Sequence, residues 1–268
     1  MSRTRFVRWL LFLALGIFLA TPLAVVAGVS VNEAKTLQFP PQGLSLAWYA
    51  DIVRDEGWRD ALVRSLTIAA CSAALAVSIA FPLVWSQWRR WTRWGNLFQA
   101  MGIVPFILPP VITALGFLAF WATLGFYGAA WTVVVSHAIF FVTLPLVTLT
   151  LGFASIDREI VEAAATMGAN DRAILRTVIV PLVGPYILSG YAFTFVLSLN
   201  EYIIAYMVAG FTTETLPIKI FNSLRYGYTP TMAAVTVAFV ALAALVFGAI
   251  GRFGDLPRLL GAWASKEG

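Results

Sequence analysis

Cysteine and histidine are almost missing from this chain. Its 268 residues contain one of each, Cys71 and His137. A single cysteine excludes an intrachain disulfide and any cysteine-rich metal site. Cys71 lies within an apolar segment, where inert packing is the expected use. His137 has no second His, Cys or carboxylate at ligand spacing, so it reads as a hydrogen-bonded packing residue rather than a metal ligand. With these two residues on separate segments, a nucleophile–base pair has little support. Charge is scarce too. Asp, Glu, Lys and Arg make up 12% of the residues, too few for a soluble domain of this length. No Gly-x-x-x-x-Gly-Lys-Ser/Thr phosphate loop occurs. No convincing internal repeat occurs either, which counts against a secondary transporter built from repeated halves.

What the chain has instead is apolar length. Hydrophobic residues make up 60% of it, and its mean hydropathy is +0.84. About 20 apolar residues cross the hydrocarbon core as a helix. Six such runs occur, near residues 9–29, 61–85, 97–123, 128–151, 183–209 and 231–250. The chain therefore reads as an all-α integral membrane protein of about six transmembrane helices. The first run follows Arg3, Arg5 and Arg8 in the manner of a signal peptide, but its length favours an uncleaved span. Pro22 would kink it, which membrane helices tolerate. A sequence pI near 9.6 does not imply nucleic acid, because the basic residues are scattered at span ends.

Between the spans, residues 30–60 are polar and predict an exposed loop ending in a short interfacial helix, with Trp48, Tyr49 and Trp58 at headgroup level. The cluster Trp88-Arg89-Arg90-Trp91-Thr92-Arg93-Trp94 reads as a headgroup anchor. Span three carries Pro105 and Pro109-Pro110. Each proline lacks a backbone donor, so a kinked helix is expected, of the kind that often lines a transport pathway. Span five contains Asn200-Glu201. Glu201 lies roughly 12 Å below the outer end at ~1.5 Å per residue. A carboxylate at that depth costs on the order of 3 kcal/mol and faces either a pathway or a partner. Asn200 and Glu201 are therefore candidate contacts for a cationic substrate, the alternative being a hydrogen-bonded Glu that holds helices together.

The stretch between spans four and five is the most informative. Ser155 or Asp157 can cap a helix there. Ile160, Ala164 and Met167 recur on one helical face. Gly168 suits a left-handed helix end, Asn170 can cap a second helix, and Pro181 is expected to break the pattern before span five. Glu162-Ala163-Ala164, three residues, Gly168, nine residues, then Val178-Ile179-Val180-Pro181 resembles the EAA loop of permease subunits of binding-protein-dependent ABC importers. That family usually ends the loop in Ile-x-Leu-Pro, so the two valines are a conservative aliphatic departure.

The resemblance implies a type I ABC importer permease fold in which this loop is a cytoplasmic coupling helix. Glu162, Ala163, Ala164, Gly168 and Pro181 would then be the ATPase-coupling residues. Glu162 would pair with a basic residue of the ATPase and Gly168 would permit the turn. The implied partners are a cytoplasmic ATPase dimer, a second permease chain, a periplasmic substrate-binding protein and the lipid bilayer, with no nucleic acid. ATP and Mg would sit on the ATPase. No cofactor, catalytic residue or metal site is expected in this chain, which is no enzyme itself. The implied layout is an N-terminal helix and outer loop (1–59), a five-helix permease core (60–252) with its coupling loop at 152–182, and a cytoplasmic tail (253–268).

Charge supports the same orientation independently. With the N-terminus inside, the inner segments hold Arg3, Arg5, Arg8, Arg89, Arg90, Arg93, Arg158, Arg172, Arg176, Arg252, Arg258 and Lys266. The outer ones hold half as many, namely Lys35, Arg54, Arg59, Arg64, Lys219 and Arg225. The positive-inside rule places both termini and the Glu162 loop in the cytoplasm, in a multi-pass inner-membrane protein.

Two further stretches narrow the resemblance. Ser198-Leu199-Asn200-Glu201-Tyr202, and Thr215 to Ile220 running on to Arg225-Tyr226-Gly227-Tyr228-Thr229-Pro230, resemble the shorter permease of spermidine/putrescine importers. The likeness runs from Trp48 to Arg252. It departs at Arg64-Ser65, where that group commonly has Asn-Ser, and at Asn200, where carboxylates are common. A polyamine is the implied solute. Ferric iron, an aminophosphonate or another organic cation are alternatives within the wider group. A purely structural membrane subunit is disfavoured mildly by Glu201.

Overall fold

Apolar runs become helices because a backbone removed from water must find its hydrogen bonds within its own segment. The computed structural model describes residues 3–90, 94–227 and 229–253. In order, α1 is Arg3–Ser30, α2 Ala47–Arg54, α3 Glu56–Trp88, α4 Gly95–Ile107, α5 Pro110–Thr123, α6 Ala130–Phe141 and α7 Thr143–Ala154. Then come α8 Arg158–Thr166, α9 Asp171–Ile174, α10 Val180–Asn200, α11 Ile203–Ala209, α12 Leu216–Tyr226 and α13 Thr231–Phe253. Four helical stretches, at 7–30, 56–88, 171–200 and 231–249, are long and apolar enough to cross a membrane. Two bent pairs, α4 with α5 and α6 with α7, bring the number up to six when each pair counts as one span. Trp91-Thr92-Arg93, Tyr228 and the tail with Arg258 and Lys266 lie outside the described residues.

Prolines decide where these spans bend, and here the sequence expectations need correcting. Span three is broken rather than kinked, its halves meeting at 108°. Leu108 is extended (φ −70, ψ 146), as a residue before proline prefers, and Pro110 starts α5 in the one helical turn that needs no proline N–H. The Thr113 hydroxyl donates to the Pro105 carbonyl at 3.3 Å. Span four also bends, by 45° between α6 and α7. Pro145 lacks the N–H that would bond the Phe141 carbonyl in a continuous helix. Pro181, by contrast, breaks nothing. Residues Leu175–Ile179 form a π turn, and Pro181 sits in the first turn of α10, where a proline N–H is not needed. Span five does break, at Glu201-Tyr202.

The chain divides into two units. The first comprises the described residues within 3–62 and 219–244. There the polar loop after α1 is organised around buried Asn32, whose Oδ1 accepts from Gln42 N–H at 2.9 Å and Ala34 N–H at 3.3 Å. Trp48 Nε1 donates to the Asn32 carbonyl at 2.6 Å, and α2 is the short helix expected at the loop's end. The Lys219 ammonium lies 5.4 Å over the ring of buried Trp58.

The second unit comprises, of the described residues, 63–218 and 245–253. One of its two cores gathers Ala80, Val84, Leu146, Leu149 and Phe153 with Val161, Ala164, Ile174 and Ile179. The other joins Ala114, Trp121, Val133, Phe140 and Phe141 to Ile204, Ala205 and Val208 of α11. Helices α7 and α10 pack closely through small residues, as membrane helices do. A Cβ on Gly190 would lie 2.8 Å from the Pro145 Cα, and one on Gly152 would lie 2.7 Å from the Tyr186 ring. Buried Ser65 accepts the Leu216 N–H at 2.8 Å and so caps α12, a helix that the polar composition of 210–230 concealed. Cys71 is exposed on α3, not packed as expected, because its side of that helix is turned away from the core.

Candidate functional site

The loop between α7 and α10 is built from local signals. Asp157 caps α8, its Oδ1 accepting the Glu159 N–H at 2.9 Å, a contact worth ~1 kcal/mol. At the other end Gly168 takes φ +87, a conformation glycine adopts without a Cβ penalty. Gly168 N–H bonds the Ala165 carbonyl at 2.9 Å and Ala169 N–H bonds the Ala164 carbonyl at 3.1 Å, the paired closure of a Schellman end. Asn170 Oδ1 then accepts the Ala173 N–H at 2.9 Å and starts α9. Ser155, the other candidate cap, instead donates to the Gly152 carbonyl at 2.8 Å.

Which face of α8 points inward differs from the periodicity reading. Val161 and Ala164 are buried, whereas Ile160 is 48% and Met167 82% exposed. Packing on Phe153 and Val84 selects the inner stripe, and the two large apolar residues are left outside. Glu162, Ala163 and Gly168 are also exposed. Of the five candidate coupling residues, Ala164 faces the core and Pro181 lies beyond the loop in α10. The other three share the open surface.

The end of α3 supports this loop from beneath. Trp88 packs against Phe153 at 5.8 Å, and the Arg158 guanidinium lies 5.8 Å over the Trp88 ring. Arg89 pairs with Asp171. Trp88 and Arg89, expected as headgroup anchors, are thus engaged with both halves of the loop. The sequence could not say so, because these partners are far apart along the chain.

The second candidate site is the break in span five. Helix α10 stops at Asn200, and Glu201 is extended (φ −75, ψ 127). Its carboxylate then reaches forward, Oε1 accepting the Ile204 N–H at 2.8 Å and Oε2 the Ala205 N–H at 3.0 Å. His137 Nε2 lies 3.1 Å from Oε2, and His137 Nδ1 lies 2.8 Å from the Ser198 hydroxyl. The histidine and Ser198 are buried, and the Glu201 side chain is 8% exposed. Asn200 does not join them, since its amide donates to the Val196 carbonyl at 2.8 Å. Sequence reasoning overlooked the pairing of His137 with Glu201. No local signal pointed to it, because the two residues are 64 positions apart. Among the described residues no cluster of His, Cys, Asp and Glu could hold a metal ion.

Among the described residues the chain is almost wholly helical, with broken apolar helices and an exposed amphipathic helix between them. The family of the binding-protein-dependent transport system inner membrane component matches residues 41–255. The chain belongs to this family. It is a multi-pass membrane permease component of an ABC importer. The putrescine transport system permease protein PotI of Escherichia coli strain K12 is 32% identical over 258 residues, covering 93% of this permease and 89% of PotI. The spermidine/putrescine transport system permease protein PotC of Haemophilus influenzae is 27% identical, over 84% of this chain and 87% of PotC. A crystal structure of a bacterial ABC transporter involved in the import of the acidic polysaccharide alginate aligns with a TM-score of 0.68 at 17% identity. That match covers 95% of this chain and 99% of the other. The type I importer permease fold is what the two share.

Proposed function

We propose that this permease forms one half of the translocation pathway of an ATP-driven polyamine importer, with putrescine or spermidine as its solute. The observation that carries the solute class is the 32% identity to a putrescine permease along 93% of the chain. A periplasmic binding protein delivers the polyamine, a second permease chain completes the pathway, and a separate pair of ATPase subunits binds ATP and Mg. Both termini and the α8 loop face the cytoplasm, in accord with the twofold excess of Lys and Arg on that side. Ile160 and Met167, which the fold leaves exposed, provide apolar contact for the ATPase. Glu162 on the same surface provides the charge, and Gly168 the turn that lets the loop move as a unit. Ala163 lies at the contact, Ala164 seats the helix from within, and Pro181 marks where the loop joins α10. Asn200 and Glu201 mark the broken segment of the pathway wall. The layout follows from the same reading: 1–59 is the first span with its outer loop, 60–252 the permease core with its coupling loop at 152–182, and 253–268 a cytoplasmic tail.

The test is uptake of radiolabelled putrescine and spermidine by cells that lack their own polyamine importers and express the full subunit set. Saturable uptake that needs the ATPase and the binding protein is the expected result. A complex that assembles, hydrolyses ATP and moves neither polyamine overturns the solute assignment, and leaves ferric iron, an aminophosphonate or another organic cation to be tried.

A further inference from the structure

The seven residues of α11 are too few for a helix to hold itself together, since isolated helices below about 12 residues are marginal. Its first N–H groups also need acceptors that no residue of the helix supplies. Glu201 supplies two of them, at Ile204 and Ala205. With Glu201 ionised, the third neighbour of that carboxylate, His137 Nε2 at 3.1 Å, is a donor as well, because an unprotonated nitrogen there would set lone pair against lone pair. The ring's proton is therefore assigned to Nε2 by its partner. In the neutral ring Nδ1 is left to accept from the Ser198 hydroxyl at 2.8 Å.

His137 consequently bridges the break. One nitrogen holds the last turn of α10 through Ser198, and the other holds the first turn of α11 through Glu201. The ring itself is fixed, being 1% exposed and edge-on to Phe141 at 5.9 Å. Phe141 belongs to the same core that seats Ile204, Ala205 and Val208.

We propose that His137 is a positioning residue for transport: it locks the α10–α11 joint and sets the seat of α11, while Glu201 acts through that helix rather than as a ligand of the substrate's cation. A carboxylate that already receives three donors and whose side chain is 8% exposed has little left to offer an ammonium group. This rests on the reading of the chain as a solute permease but not on the solute being a polyamine.

The experiment uses the whole importer complex with Cys71→Ser and a single reporter, Ile204→Cys, at a fully buried position of α11. Its rate of labelling by N-ethylmaleimide reads how often the joint opens. His137→Leu is expected to raise that rate at least tenfold, because it removes both buried hydrogen bonds of the ring. His137→Gln, which keeps a donor toward Glu201, is expected to restore most of the protection, and Ser198→Ala to fall between. In putrescine uptake, the Leu variant is expected to lower the maximal rate with KM unchanged. Unaltered labelling in His137→Leu overturns the proposal. So does a Glu201→Gln variant that raises the KM for putrescine while its labelling stays at the wild-type rate. Should His137→Leu fail to assemble, Ser198→Ala decides by the same labelling criterion. If the wild type moves no putrescine, the polyamine reading fails while the labelling result still judges the joint.

Discussion

The contact between α7 and α10 gives a sharp numerical test of the fold. An alanine methyl at Gly190 would lie 2.6 Å from Thr148 Oγ1, 2.8 Å from Pro145 Cα and 2.9 Å from Pro145 Cβ. Two of those atoms belong to a proline, one of them in its backbone, and the Thr148 hydroxyl is tied to the Pro145 carbonyl at 3.3 Å. None can yield as the tip of a flexible side chain would. Overpacking of this kind costs about 1–3 kcal/mol. Against it stands the gain of about 1 kcal/mol that any Gly→Ala change brings to a helix interior. Gly116 in α5 isolates that second effect, because a Cβ there meets nothing within 4 Å. The difference between Gly190→Ala and Gly116→Ala is therefore the overlap alone, about 1–3 kcal/mol. At about 2–4 °C per kcal/mol for a chain of this size, the two melting temperatures should separate by roughly 5 °C, with Gly190→Ala the lower. Thermal unfolding of the detergent-purified complex, followed by tryptophan fluorescence, measures it. If the two variants melt together, the close approach of α7 and α10 is wrong.

Other predictions concern the loop. A Cβ at Gly168 meets no neighbour, but Gly168→Val must adopt φ +87 at a cost of about 1–2 kcal/mol. Uptake should fall, and Gly168→Asn, which tolerates that conformation better, should fall less. Glu162→Arg and Met167→Asp should each abolish retention of the ATPase in a pull-down while leaving the melting temperature unchanged, since both positions are exposed. Arg89→Glu should uncouple ATP hydrolysis from uptake in part, and the reversed pair Arg89→Asp with Asp171→Arg should restore the ratio. The effect on stability should stay within about 1 kcal/mol, because Asp171 is 61% exposed. An uptake-to-hydrolysis ratio in the reversed pair no better than in Arg89→Glu would dispose of the contact.

Sequence alone determined the class of molecule and the form of its loop. Six long apolar runs with few charges allow little except membrane helices, and capping and chain reversal are local events. The side chains that perform them, Asp157, Gly168 and Asn170, lie within a few residues of the backbone they serve. The loop was legible for that reason, and so was its likeness to a known permease loop. Tertiary structure decided what depends on distant neighbours. Proline chemistry announced a disturbance at Pro109 and at Pro181, but packing made one a 108° break and passed the other through a π turn. The inward face of α8 was set by Phe153, so Ile160 and Met167 came to lie outside. Glu201 could be singled out from the sequence as an acid at membrane depth. Its partner His137 is 64 residues away, and only the folding of α6 against the broken span brings the two together. Local signals fix the ends of helices, whereas a buried polar group takes its partners from whatever the packed helices bring within reach.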